Sequence, residues 1–89
     1  MLCLQNSSAG VPIKMLVETK LYGLKHSIGL PIIDRLMGVR DGEHADRVVL
    51  VTNSRFSKTI WKRWEERVGR DLMLIDREEL FEWLREGRI

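Results

Sequence analysis

The stretch RVVLVT, residues 47–52, constrains the fold more than any other part of the chain. Val48, Val49, Leu50, Val51 and Thr52 show no apolar-polar alternation, so as a strand they suit a sheet covered on both faces. Helical patterns flank this run. Before it, in IGLPIIDRLMGVR, Ile32, Leu36 and Val39 recur at helical spacing, joined by Ile33 and Met37. Ser27 is placed to cap that helix, Pro31 is tolerated in its first turn, and the polar DGEHAD ends it. After it, NSRFS turns into a helix on which Phe56, Ile60, Trp64 and Val68 step by four, with Gly69 where a C-terminal glycine belongs. DLMLI reads as another buried strand. Asp76 then opens a capping box with Glu79, and Ile75 and Leu80 are placed as its hydrophobic staple. Leu80, Phe81 and Leu84 form the expected buried stripe of the last helix, which Gly87 ends.

The first twenty residues read as a hairpin. MLCLQ is short and apolar, NSSAG is rich in turn formers, and VPIKMLVETK alternates. Residues 1–5 should pair with 13–19 around a turn near residues 8–10, with Gln5 near Lys14 and Glu18 opposite the region of Met1. On the second strand Ile13, Met15 and Val17 share one face, and Lys14, Leu16, Glu18 and Lys20 share the other. The order is β-β-α-β-α-β-α. It implies an α/β fold with a mixed sheet flanked by helices, whose later strands are parallel. Eighty-nine residues make a single domain, 1–89, with a marginal core.

Several function classes are disfavoured. A single cysteine, Cys3, allows no intrachain disulfide and fits a reducing compartment; on an apolar strand it reads as a buried thiol. No apolar run approaches the roughly 18 residues of a membrane span. The start of the chain lacks the pattern of a signal peptide, so a cytoplasmic location is expected. Two isolated histidines, His26 and His44, give no zinc spacing, and the glycines form no phosphate-binding loop. The net charge of +2 with a pI near 9.0 permits a nucleic-acid partner without demanding one. Trp61, Trp64 and Trp83 lie on or beside helix stripes and read as core or half-buried residues rather than base-stacking platforms.

The chemistry centres on Glu18-Thr-Lys20. An acid and a lysine two residues apart on a strand stand about 7 Å apart along one face. Two readings of that pair are open. It is an ion pair on an exposed strand face, or it is half of a metal-dependent nuclease site. Cutting a phosphodiester this way needs carboxylates to hold a hard cation and a lysine to orient water or offset developing charge.

Taken in order, the LVETK strand, IGLPIIDRLMGV on the following helix, ADRVVLVTNSRFSKTI and the closing LMLIDREELFEWL resemble the catalytic domain of the Mrr-like restriction endonucleases. These belong to the PD-(D/E)xK nuclease superfamily, and the resemblance covers roughly residues 13–86. It implies a restriction-endonuclease-like core and Mg²⁺-dependent hydrolysis of DNA, with Mn²⁺ as a substitute ion. Glu18 would be a metal-binding carboxylate and Lys20 the active-site lysine. Thr52 and Phe56 match a structural VT…F pattern, and Asp76 matches the acid that starts the last helix.

The resemblance also implies a second acid on the strand before Glu18, but the chain has no Asp or Glu ahead of that residue. The family's first helix and strand are likewise not evident. The expectation is a partial domain with impaired cleavage, and self-association through the surface those elements would cover. Lys25 and His26 in the loop after the site, and Lys58, Lys62 and Arg63 on the basic helix, are the candidate DNA contacts. The alternatives are a catalytically inactive nuclease-fold module that binds DNA or a protein partner, and an unrelated α/β domain with a chance Glu-x-Lys.

Overall fold

The second strand organises the sheet. In the computed structural model, which describes residues 2–8, 11–23 and 25–87, β2 (Val11–Lys20) pairs antiparallel with β1 (Leu2–Ser8) and parallel with β3 (Arg47–Thr52). β3 pairs parallel with β4 (Leu72–Ile75), so the strand order is β1-β2-β3-β4. The helices are α1 (Leu30–Glu43), α2 (Lys58–Trp64) and α3 (Arg77–Glu86). The order read from the sequence therefore holds, in a mixed four-stranded sheet. The hairpin register sets Gln5 opposite Lys14 and Leu2 opposite Val17. The turn at residues 9–10, and Met1 opposite Glu18, lie outside the described residues.

Side-chain alternation divides the sheet into two unequal faces. One face carries the rows Leu16-Val48-Leu72 and Glu18-Leu50-Leu74, followed by Lys20-Thr52. Its apolar members join Ile33, Leu36 and Met37 of α1 and Ile60 of α2 in the core. The other face is covered only in part. Ile13, Met15, Val17, Val49 and Val51 are half-buried, and Leu4 and Met73 are exposed; Ile75 is its buried exception. The unbroken apolar run of β3 is thus fully buried only at Val48, Leu50 and Thr52.

The start of β2 is tied to the start of β3 by a reciprocal contact. The Lys14 N–H donates to the Asp46 carboxylate at 2.8 Å, and the Asp46 N–H donates to the Lys14 carbonyl at 2.8 Å. The Lys14 ammonium also reaches the Glu43 carbonyl at 2.8 Å, joining the end of α1 to the same corner.

Local signals succeed where they act on the backbone nearby. Asp76 caps α3 by accepting from the Glu79 N–H at 3.1 Å, and Gly87 ends the helix in the left-handed region at φ 72°. The polar DGEHAD ends α1, which stops at Glu43 with His44 closing it at φ 54°. Three expectations are corrected. Ser27 does not cap α1: Ile28 forms a bridge with Phe56, which leaves Gly29 as the N-cap with no side-chain bond. α2 stops at Trp64, whose carbonyl accepts from both Arg67 and Val68, so Val68 lies in a turn and bridges Leu72. Cys3 is exposed rather than buried, because β1 is an edge strand.

The largest departure is α3. None of its residues is buried; Leu80 and Trp83 are half-buried, and Phe81 and Leu84 are 47% and 56% exposed. The stripe exists, but the described elements cover only its edge. Leu4 and Met73 on the sheet and Phe81 and Leu84 on α3 are thus apolar side chains left open to a partner. Concentration-dependent self-association is therefore expected, read as a rising mass in size-exclusion light scattering. Phe81→Glu with Leu84→Lys should reduce it. A monodisperse monomer at high concentration would contradict this expectation.

Candidate active site

Glu18 and Lys20 occupy the last turn of the pleat in β2, where the strand runs past the described end of β1. They lie on the helix-covered face, not on an exposed one. Glu18 is 9% exposed, and its Oε1 meets the Lys20 ammonium at 3.1 Å. A carboxylate here is hard to explain as solvated surface, since burial disfavours its charged form. Burial does push the Glu18 pKa upward, but the hydrogen bond and charge of Lys20, with a further contribution from Arg35, outweigh it, and the net shift is downward. The site therefore holds an ionised acid beside a cation near the open end of the strand. Arg35, exposed on α1, is a contributor that no motif in the sequence marked.

The loops beyond β2 and β3 lie side by side at this end of the sheet. The Ile28 N–H donates to the Arg55 carbonyl at 2.7 Å, and the Ser57 N–H donates to the Ile28 carbonyl at 2.9 Å. Lys25 and His26 are exposed on the first loop, and Lys58 is exposed where α2 begins. Lys62 and Arg63 are exposed on α2, but Arg63 is engaged: its Nε donates to Asp34 at 3.2 Å, and its guanidinium lies 5.5 Å from the centre of the Trp64 ring. The candidate DNA contacts thus divide into a loop group beside Lys20 and a helix group on α2. Trp64 is half-buried against the core, with its indole N–H donating to Asp34 at 3.0 Å, as a structural tryptophan would.

Thr52 and Phe56 have structural contacts. The Thr52 hydroxyl donates to the Lys20 carbonyl at 2.6 Å, and Phe56 meets Trp61 edge-on at 6.5 Å between ring centres. Glu18 and Lys20 do not line the cavity of about 100 Å³ beneath Met15, Val49 and Met73, nor the hollow of about 250 Å³ between Ser54 and Arg77.

Among the described residues, no three His, Cys, Asp or Glu side chains gather into a group that could hold a metal ion. Mg²⁺ retains its waters unless several carboxylates or phosphates replace them, so Glu18 with these residues does not by itself fit that ion.

Comparison with known proteins resolves what kind of domain this is. No curated protein matches the chain. Among solved structures, the chain is similar to the DNA modification-dependent restriction endonuclease AspBHI, with a TM-score of 0.75 and 21% identity. The match covers 98% of this chain and 22% of that one, so the chain spans about a fifth of the other protein's length, and the likeness is one of fold. A restriction endonuclease family profile, Mrr_cat, matches residues 3–84. That match takes in both strands of the hairpin, the Glu18–Lys20 strand and nearly all of α3, and the chain belongs to this restriction endonuclease family.

Proposed function

We propose that this domain acts on DNA as an endonuclease catalytic module, with Glu18 and Lys20 as the part of its active site that the chain supplies. The observation that carries the reading is the buried Glu18 paired at 3.1 Å with Lys20 on the strand that the family match covers. Lys20 would offset charge as it develops on a phosphate oxygen, a contribution that grows where water is excluded. Glu18 holds the ammonium in place and would face a divalent ion, Mg²⁺ or Mn²⁺ in its stead. One carboxylate is too few for that ion, so residues 1–89 alone should cut slowly. The same shortage supports the second reading, a nuclease fold that binds DNA or a protein without cutting. No helix among the described residues is long and apolar enough to cross a membrane, and a cytoplasmic location remains part of the proposal.

DNA binding tests the nuclease reading and separates a DNA-binding module from a protein-binding one. The chain should bind duplex DNA at low salt, and affinity should fall steeply as salt rises, because each neutralised phosphate releases counterions. Charge reversal at Lys62 and Arg63 should weaken binding to all sequences alike and flatten the salt dependence. Lys58→Ala should do the same more weakly. Fluorescence anisotropy over a salt series gives the slope. No binding at low salt, or a slope indifferent to the α2 substitutions, would remove the α2 face from the DNA interface.

A further inference from the structure

The stretch TNS, residues 52–54, commits each of its three side chains to the segment that leaves the active site. Thr52 is fully buried; its hydroxyl donates to the Lys20 carbonyl at 2.6 Å and accepts from the Ser54 N–H at 3.0 Å. The Asn53 Oδ1 accepts from the Gly23 N–H at 2.9 Å. Ser54, also fully buried, donates its hydroxyl to the His26 carbonyl. Backbone bonds from Arg55 and Ser57 to Ile28 continue the series. Gly23 stands at φ 70°, a left-handed conformation that L side chains rarely adopt, and its N–H is thereby presented to Asn53.

The apolar core is closed by Leu16, Leu50 and the helices, whereas residues 21, 22 and 25–27 of the clamped segment are exposed. Leu21 is 68% exposed and Tyr22 43%, and Lys25 and His26 are exposed beside them. An irregular segment with open apolar, aromatic and basic side chains would ordinarily sample many shapes. Here three consecutive side chains hold it in one shape, directly after Lys20. Basic groups that meet phosphates, with an apolar or aromatic group that meets the groove or a base, are the composition of a nucleic-acid contact. Ordering such a segment in advance lowers the entropy lost on binding.

We propose that Thr52, Asn53 and Ser54 are positioning residues that set where Lys20 stands and hold residues 21–23 and 25–26 as a preformed DNA-contacting loop, with Tyr22 and Leu21 as its groove or base contacts. This rests on the nuclease reading above. Thr52→Val keeps the branched shape but removes the hydroxyl, and Thr52→Ser restores it. Asn53→Ala removes an acceptor from a half-buried site and leaves the core untouched.

The test uses the full chain and a mixed-sequence DNA duplex at low salt. Amide hydrogen exchange at Gly23 and Ser54 reports the clamp, and a double-mutant cycle with Tyr22→Ala reports its link to DNA. Asn53→Ala should speed exchange at Gly23 and weaken DNA binding about tenfold, the scale of a lost hydrogen-bonded contact. Thr52→Val should weaken binding likewise, and Thr52→Ser should recover most of the loss. Tyr22→Ala should weaken wild-type binding several-fold yet have little effect in the Asn53→Ala background. If the wild-type chain binds DNA but the clamp variants bind as tightly, or the Tyr22 and Asn53 effects simply add, the clamp is structural only and the proposal is overturned while the nuclease reading stands. If the wild-type chain does not bind DNA, the nuclease reading falls and this assignment falls with it.

Discussion

Lys20→Ala is expected to lower DNA cleavage by about a hundredfold, the scale seen when one preorganised electrostatic group is removed from an active site. The parent chain is itself expected to be slow. The comparison therefore uses Mn²⁺ and supercoiled plasmid, in which a single cut registers. The substitution will also disturb the fold. Without Lys20, the burial of Glu18 opposes its charge with less to offset it, and its pKa should rise from its present lowered position. Leaving one partner of a partly buried pair should cost about 1–3 kcal/mol at neutral pH, less than the full-burial figure because Lys20 keeps some water contact. Adding Glu18→Gln removes the stranded charge. The double variant should regain stability yet stay inactive, which separates chemistry from folding. If Glu18→Ala and Lys20→Ala both cut as well as the parent, the pair is an ion pair and nothing more. A folded parent that never cuts moves the domain to the binding-module reading.

The second large effect is expected at the opposite end of the sheet. Asp71 accepts from the Arg67 Nε at 2.9 and 2.8 Å, and its Oδ2 also lies 3.3 Å from Arg40 of α1. The hydrogen bonds of Arg67 hold the Asp71 carboxyl below its usual value, against the opposing effect of burial, with the charges of Arg67 and Arg40 adding to the shift. One carboxylate thus ties the exit of α2 and the end of α1 to the entry of β4. Asp71→Asn keeps the shape but leaves two guanidiniums close together. About 1–3 kcal/mol should be lost, discounted because Arg67 is partly exposed. In a domain of this size that lowers the melting temperature by roughly 5–15 °C. The pH dependence has a definite sign. Asp71 and Glu18 both have lowered pKa values in the fold, so their stabilisation is complete above the unfolded carboxylate values near about 4 and fades as pH falls through the folded ones. Asp71→Asn should flatten the acid limb of the stability curve. A variant that melts with the parent from neutral to acid pH would show the network to be idle.

The elements that sequence made legible are those decided by near neighbours. β3 keeps its expected bounds because five apolar or β-branched residues leave little else for it to be. Gln5 falls opposite Lys14, and Asp76 and Gly87 bracket α3, because turn and cap chemistry act over a few residues. The faces of β2 were legible from alternation alone. What could not be read was which face would be covered. That depends on the crossover through α1, which lays its apolar side over Leu16, Val48 and Leu50, on the face that Glu18 and Lys20 share, rather than over Met15 and Val17. The same limit explains Phe81 and Leu84: a stripe shows what a helix is able to bury, not what is there to bury it. Ser27 had suitable chemistry for a cap, but Ile28 was taken by Phe56, a partner twenty-eight residues away by the numbering of the chain. Arg35 carries no motif and acts through proximity alone.

The reciprocal contact between Lys14 and Asp46 bears on how faithfully the chain finds its one productive alignment. Parallel strands joined by a long crossover have no tight turn to count residues for them, and a slip of one position would rotate every side chain of β2 to the other side relative to β3. A slip of two would keep the faces but carry Lys20 away from Thr52. The pair of hydrogen bonds at the start of the ladder favours the native alignment, which satisfies the Asp46 carboxylate and its N–H together. A residue four positions from Glu18 and six from Lys20 thereby helps to fix which side chains of β2 stand beside which residues of β3 at the far end of the strand.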